Sequence, residues 1–364
     1  PHHRMETAPT SRLPASPMVS VVMATFNHRP YIEKAVQSVL AQETDFPVEL
    51  LIGEDCSIDG TRELVCELAR RHPDRIRVIT SDRNVGAHPN VARLERASRG
   101  KYLAYCEGDD WWHDPRKLAK QVAFLEARPG WVMVHSHCDR YYVATGRLLR
   151  NDLTVPSDLD DARAYEDILL GVRYPLTVTV MVVREALMKV VESCPECLDA
   201  RWPMGDTQRW LELARLGRVG CIHESLATTN VLPESAGQSR DPRKRLRFYL
   251  AARELKLHYL AKYPVAPELA RTVRERLALV LLQHAHQAGA PEVADQMFAE
   301  YAELRGRASW RARWLRWGSR SAERRRLVAP LVMIDNQLRR LRRRLGRGAQ
   351  ANGASSNAVA VPGA

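Results

Sequence analysis

Apolar residues in the first 135 positions alternate between two periodicities. Val19–Ala24, Glu49–Glu54, Ile76–Thr80, Tyr102–Cys106 and Trp131–His135 are short apolar runs between turn residues, which predicts buried strands. Between them, Tyr31–Ala41, Thr61–Arg71, His88–Ser98 and Pro115–Ala127 carry apolar side chains at helical spacing, as in Ile32, Ala35, Val36, Val39 and Leu40. Asp59 or Thr61 can cap the second helix, and Pro115 suits a first helical position. Strand–helix alternation with short links predicts an α/β fold with a mostly parallel sheet and right-handed crossovers. Ligands bind such sheets beyond the carboxyl ends of the strands. Thr25-Phe26-Asn27, Asp55 and Glu107-Gly108-Asp109-Asp110 each follow a predicted strand directly, so one rim collects them.

The later pattern is less regular. Thr177–Val183 alternates Thr and Val and predicts a strand ending at Arg184 near the same rim. Gly205-Asp206-Thr207 precedes a helix over Gln208–Arg215, and Val219–His223 predicts another short strand. From Arg243 onward the chain reads as helical, through Tyr263, then over Pro267–Ala288 and Pro291–Gly306. No repeat of fixed period is visible.

Composition, 45% hydrophobic and 27% charged, is that of a globular protein. No run nears the ~18–20 apolar residues of a membrane-spanning helix; Leu327–Ile334 is short and contains Pro330. Residues 1–17 lack the apolar region of a secretory signal and predict a disordered leader. Seven cysteines, an odd number, predict reduced thiols and a cytoplasmic setting. Cys194 and Cys197 have no second pair at zinc-site spacing and read as two plain thiols on a turn. The formal charge of +12 belongs to one segment. Arg305–Arg347 holds fifteen arginines against Glu323 and Asp335, a net of +13 that leaves the rest near −1.

Adjacent Asp109 and Asp110, after Glu107 and a glycine, repel each other unless a cation intervenes. Magnesium or manganese, held by one or two carboxylates plus phosphate oxygens, would supply it. Trp111-Trp112 could wall such a pocket; the alternative is an Asp-rich turn capping the next helix. Asp55 could bind a base or ribose, or serve only its turn. No Gly-rich phosphate fingerprint or Walker sequence occurs. A lone Asp206 before a helix reads, from pattern alone, as an N-cap.

Four ordered motifs carry a resemblance. Val19-Ser20-Val21-Val22-Met23-Ala24-Thr25-Phe26-Asn27, Glu54-Asp55-Cys56-Ser57-Ile58-Asp59-Gly60-Thr61, Asn84-Val85-Gly86 and Gly108-Asp109-Asp110 together resemble glycosyltransferase family 2 with its GT-A fold, over about residues 18–240. The resemblance implies an inverting transfer from a nucleoside-diphosphate sugar, UDP- or dTDP-type, to a saccharide or lipid-linked hydroxyl acceptor in bacterial surface polysaccharide or glycolipid assembly. It implies that Ala24, Phe26 and Asp55 hold the nucleoside, that Asp109 faces ribose or sugar and shares metal binding, and that Asp110 binds Mg2+ or Mn2+. It also gives Asp206 the role of general base. The family's late Tyr-Arg-x-His segment has no match, since the corresponding stretch, Thr229–Ser235, lacks His. Asp206 lacks the acidic neighbour common in polysaccharide synthases, and their membrane helices are absent, which argues against a processive synthase.

The expected plan is a leader (1–17), a GT-A domain (18–240), a helical extension (241–306), a basic amphipathic tail (307–348) and a disordered end (349–364). Trp310, Trp314 and Trp317 at i, i+4, i+7 among arginines suit a helix lying on an anionic membrane surface, which would make the protein peripheral to the inner face of the cytoplasmic membrane. Leu331, Ile334, Leu338, Leu341 and Leu345 suit a short coiled coil and a homo-oligomer instead. Two rival functions stand beside the transferase. One is a sugar-nucleotide-binding protein without catalysis. The other is a nucleic-acid binder using the arginine tail, which the near-neutral body does not support.

Overall fold

The computed structural model describes residues 16–157, 159–232 and 239–332. The chain divides into two units: residues 1–240 with 251–269, and 241–250 with 270–364.

The first unit opens as the alternation predicts, with β1 (Val19–Thr25), α1 (Ile32–Leu40), β2 (Val48–Glu54), α2 (Thr61–Arg71), β3 (Ile76–Ile79), α3 (Ala87–Ala97) and β4 (Tyr102–Tyr105). It continues through β5 (Trp111–Trp112), α4 (Lys117–Glu126), β6 (Trp131–Tyr142), β7 (Arg147–Leu153), α5 (Ala164–Leu170), β8 (Met181–Val183), α6 (Arg184–Ser193), α7 (Gly205–Leu216) and β9 (Arg218–Val231). Nine strands form one sheet in the order β3-β2-β1-β4-β8-β6-β9-β5, with β7 paired to β6. The α/β expectation holds. Parallel pairing covers β3-β2-β1-β4 and β6-β9, whereas β5, β7 and β8 pair antiparallel.

Strand β2 explains why the early runs read so clearly. All its residues are buried, as in a parallel strand covered on both faces. Its two carboxylates survive burial by pairing. Glu49 accepts from the Ser20 hydroxyl at 2.6 Å and pairs with Arg99 at 2.8 Å, and Glu54 pairs with Arg62 at 2.6 Å. Val21, Met23, Leu50, Ile52, Val36 and Leu68 belong to the large apolar core around these strands.

Three expectations need correction. Thr177–Thr179 is a 3-10 turn, and the strand begins only at Met181, because the Thr179 hydroxyl and backbone N–H both bond back to the Leu176 carbonyl. The strand expected over Trp131–His135 runs on to Tyr142, and that over Val219–His223 runs from Arg218 to Val231; each continues the other's ladder. The helix expected from Gln208 starts at Gly205, which places Asp206 inside its first turn.

Helix α8 (Pro242–Lys262) contributes to both units. The second unit holds α9 (Pro267–Ala288), α10 (Pro291–Arg305), α11 (Trp310–Gly318) and helical residues 322–332. Its core comprises Ala278, Leu281, Leu282, Ala285, Met297, Tyr301 and Leu315 with their neighbours. No helix among the described residues is long and apolar enough to cross a membrane. Most of the expected leader, the heptad positions from Ile334 onward and the expected disordered end lie outside the described residues.

Candidate active site

The carboxyl ends of β1 and β2 lie side by side, Thr25 in register with Glu54, and the Asp55 N–H donates to the Thr25 carbonyl at 3.1 Å. Both following loops bend through the left-handed region without glycine, at Asn27 (φ 55°) and Cys56 (φ 63°). Reciprocal bonds hold the bend. Asn27 N donates to Ser57 Oγ at 2.9 Å, and Asn27 Oδ1 accepts from Ile58 N at 3.0 Å. Asp59 takes the capping role, accepting from Thr61 N and Arg29 N at 3.0 Å each, while Thr61 Oγ1 accepts from His28 N.

Asp55, expected at the nucleoside, is almost fully buried, and its oxygens are already engaged. Oδ1 accepts from Val85 N at 2.9 Å and from the Ser81 hydroxyl at 3.2 Å, and Oδ2 accepts from Gly86 N at 2.9 Å. The carboxylate therefore fixes the loop from β3 to α3, which contains Asn84-Val85-Gly86. Phe26 is 40% exposed and Ala24 half-buried, so an accessible ring stands at the mouth of this cradle.

The acidic cluster turns out of β4 against β1. Gly108 N donates to the Ala24 carbonyl at 3.0 Å, and a Cβ at 108 would lie 2.6 Å from Thr25 Oγ1 and 2.9 Å from His28 Nδ1. Only glycine permits that approach. Asp109 then faces His28, with Oδ1 3.9 Å from Nδ1. Asp110 is buried, and its Oδ1 accepts from Asn230 N at 2.8 Å; the Asn230 amide also bonds the Asp109 carbonyl. Asn230 belongs to the stretch where the family carries its late histidine. Burial, then the charges of Asp109 and Glu107, push the Asp110 carboxyl well above its ordinary range. Burial, Asp109 and Asp206 push Glu107 up to about 8. A set of carboxylates that resists ionisation together fits a divalent cation, which would relieve the repulsion. Trp112, expected on the pocket wall, is instead core: it is buried, donates through Nε1 to the Val178 carbonyl at 2.9 Å, and carries Lys117 Nζ over its ring at 4.2 Å.

Asp206 stands in the first turn of α7 and is not its N-cap. Its Oδ1 accepts from Thr207 N at 2.7 Å and its Oδ2 from the Thr177 hydroxyl at 3.2 Å. The helix start is anchored from below. Arg209, itself buried, pairs with buried Glu95 at 2.8 and 3.1 Å and donates to the Gly205 carbonyl at 2.7 Å. Tyr105 on β4 donates to the same Glu95 at 2.9 Å. Asp206 and the acidic cluster thus hang from one buried network, and the charge of Asp206 is felt at Glu107. The roles of Glu95, Arg209, Thr177 and Asn230 escaped the sequence reading, because each partner lies 29 to 121 residues away along the chain.

The model of the family described as glycosyl transferase family 2 matches residues 20–170. The uncharacterized protein Rv1520 of Mycobacterium tuberculosis is 44% identical over 111 residues, 30% of this chain and 32% of its own length. The putative teichuronic acid biosynthesis glycosyltransferase TuaG of Bacillus subtilis is 42% identical over 115 residues, 31% of this chain and 43% of its own. The matched part of the chain thus spans less than half the length of these curated relatives. Among solved structures, the mannosyltransferase PcManGT from Pyrobaculum calidifontis, in complex with GDP-Man and Mn2+, aligns with 86% of this chain and 81% of its own at 17% identity and a TM-score of 0.51, a likeness of fold. Four motifs at the rim, a sheet that delivers them to one place and the match over residues 20–170 agree: residues 20–170 are those of a glycosyl transferase family 2 domain, and the chain has the GT-A fold.

Proposed function

We propose that this protein is a metal-dependent inverting glycosyltransferase that moves a sugar from a UDP- or dTDP-type nucleoside-diphosphate sugar to a hydroxyl of a saccharide or lipid-linked acceptor. The observation that carries the reading is the placement of Asp206, held by Thr177 and Thr207 beside an acidic cluster whose proton affinity it raises. The acceptor oxygen attacks the anomeric carbon, the bond from that carbon to the diphosphate oxygen breaks, and Asp206 takes the hydroxyl proton. One displacement from the face opposite the leaving group inverts the configuration. Phe26 offers its ring to the base, Asp55 keeps the 81–86 loop in place around the nucleoside, and Asp109 meets the ribose or sugar. Mg2+ or Mn2+ held by Asp110, with Asp109, would neutralise charge developing on the diphosphate. TuaG is named for teichuronic acid biosynthesis, and a related role in surface polysaccharide or glycolipid assembly fits an acceptor hydroxyl. Hydrolysis and transfer assays across UDP-, dTDP- and GDP-sugars, with Mn2+ or with chelator, test the reading. Turnover of one donor class with an inverted anomeric signal by NMR is expected. Absence of turnover with every donor and both metals would reduce the chain to a binding protein.

A second element of the reading concerns α11. Its Arg311, Ala312 and Leu315 face inward, while Trp310, Trp314 and Trp317 are exposed at 54%, 41% and 37%. Exposed tryptophans among arginines suit an anionic lipid surface. The full chain is expected to co-sediment with anionic vesicles and to lose that binding when residues 307–364 are removed. Equal binding by both forms would reject the docking role, and salt-resistant self-association of the full chain without vesicle binding would favour the coiled coil.

A further inference from the structure

A second cluster of ligating side chains lies on the β6–β9 ladder, apart from the acidic rim. The ladder register passes from Ser136 opposite Ile222 to His137 opposite Ser225, which leaves His223 and Glu224 of β9 in a bulge. A bulge re-aims the side chains it carries. Here it turns the ring of His223 edge-on to His137, with centroids 5.2 Å apart and planes at 77°. His223 Nδ1 comes to 3.3 Å from His137 Nε2, which also donates to the Val155 carbonyl at 3.3 Å, a contact that metal binding would displace. Cys221, two residues earlier on β9, completes the set, and one ligand atom from each of the three residues lies within 4.8 Å of the others.

We propose that His137, Cys221 and His223 form a zinc site. The donor set is two imidazoles and one thiolate, the borderline-soft combination that suits Zn2+ better than the hard, oxygen-liganded Mg2+ or Mn2+ of the acidic rim. The spacing agrees. Two Zn–N bonds of about 2.0–2.1 Å at a tetrahedral angle separate the nitrogens by about 3.3 Å, and the two ring nitrogens are 3.3 Å apart. The sulfur needs a shift of at most about 1.3 Å to reach the corresponding nitrogen–sulfur edge of about 3.5 Å. His137 and Cys221 are buried while His223 is exposed, so the fourth position faces solvent and takes water. Binding deprotonates Cys221 and releases that proton to the buffer. The site would lock β6 to β9 at the bulge, upstream of Asn230, whose N–H holds Asp110.

The test uses the full chain, stripped with chelator and then titrated with Co2+ and Zn2+ in excess Mg2+ to mask the acidic rim. One Co2+ per chain with a thiolate-to-cobalt charge-transfer band is expected, displaced by one Zn2+. Cys221→Ser should remove the band. His223→Ala, an exposed position that leaves the core intact, should weaken zinc binding by more than about 100-fold, since loss even of an outer-shell partner costs 10–100-fold. Cys194→Ser checks the separate Cys194–Cys197 pair, whose sulfurs lie 3.2 Å apart, and should leave the band unchanged. No band in the wild type, or a band that survives both Cys221→Ser and His223→Ala, overturns the proposal. None of these readouts depends on sugar transfer.

Discussion

The two banks of the rim treat carboxylates in opposite ways. Beside β1 and β2, Glu54, Asp55 and Asp59 each have donors within reach: Arg62 and Ser57 N, then Val85, Gly86 and Ser81, then Arg29 and Thr61. Beside β4, Glu107, Asp109 and Asp110 gather with fewer donors, and Glu107 and Asp110 hold their protons more tightly. A carboxylate satisfied by main-chain N–H groups spends its charge on holding a loop. One that faces other carboxylates holds its proton until a cation relieves the repulsion. The same side chain serves as scaffold or as reagent according to the donors it meets.

The sharpest way to break this contrast is to neutralise Asp110 on the acidic bank and Asp206 on the helix that faces it. Asp206→Asn keeps the shape and removes the basicity, so transfer should fall by about 10²–10⁴-fold while calorimetry still shows metal-dependent donor binding. Asp110→Ala should lose both transfer and that binding. If Asp206→Asn retains transfer, the proton goes elsewhere. A comparably large effect, on stability, should follow Arg209→Met, which strands Glu95 in the core at a cost of about 3–5 kcal/mol by urea unfolding. Asp55→Ala leaves Val85 N–H and the Ser81 hydroxyl without their acceptor, and Gly86 N–H with Asn84 Oδ1 alone, and should cost about 2–3 kcal/mol. Unchanged stability with weaker donor binding would instead move Asp55 to the reagent bank.

Smallest per step is the pH response of the acidic side, read as a slope. In chelator, the folded chain keeps the Glu107 proton up to about pH 8, against an ordinary value of 4.5 for an unfolded carboxyl. The folded state then binds more protons than the unfolded state between those values. Stability should therefore fall as pH rises through that window, by at most about 1.4 kcal/mol per pH unit, and level off above it. Saturating Mn2+ and Glu107→Gln should each flatten the slope in thermal melts. A slope untouched by both would show that the rim is not electrostatically crowded.

The sequence displayed most clearly what burial on both faces dictates. Strands β1 to β4 are short apolar runs because helices cover them, and their ends marked the rim before any side chain was placed. The later strands carried no such signal. Strand β5 is two tryptophans long, β7 joins the sheet only through β6, and the Thr-Val alternation over 177–183 dissolves into a turn once Thr179 bonds back to Leu176. Motif order pointed Asp109 and Asp110 to the rim, and the family resemblance alone added Asp206, yet their supports were invisible. Nothing near Arg209 announces Glu95, 114 residues away, and a motif cannot reveal that the oxygens of Asp55 are already taken.

The Glu95–Arg209–Gly205 linkage, with Tyr105 on the same carboxylate, has a mechanical consequence. The helix that presents Asp206 and the strand that presents the acidic cluster share one rigid frame; under the proposed roles, the gap between attacking hydroxyl and leaving group would be set before either substrate arrives. That is orientation stored in the fold, the kind of advantage that reacting groups held in place enjoy over groups that must collide.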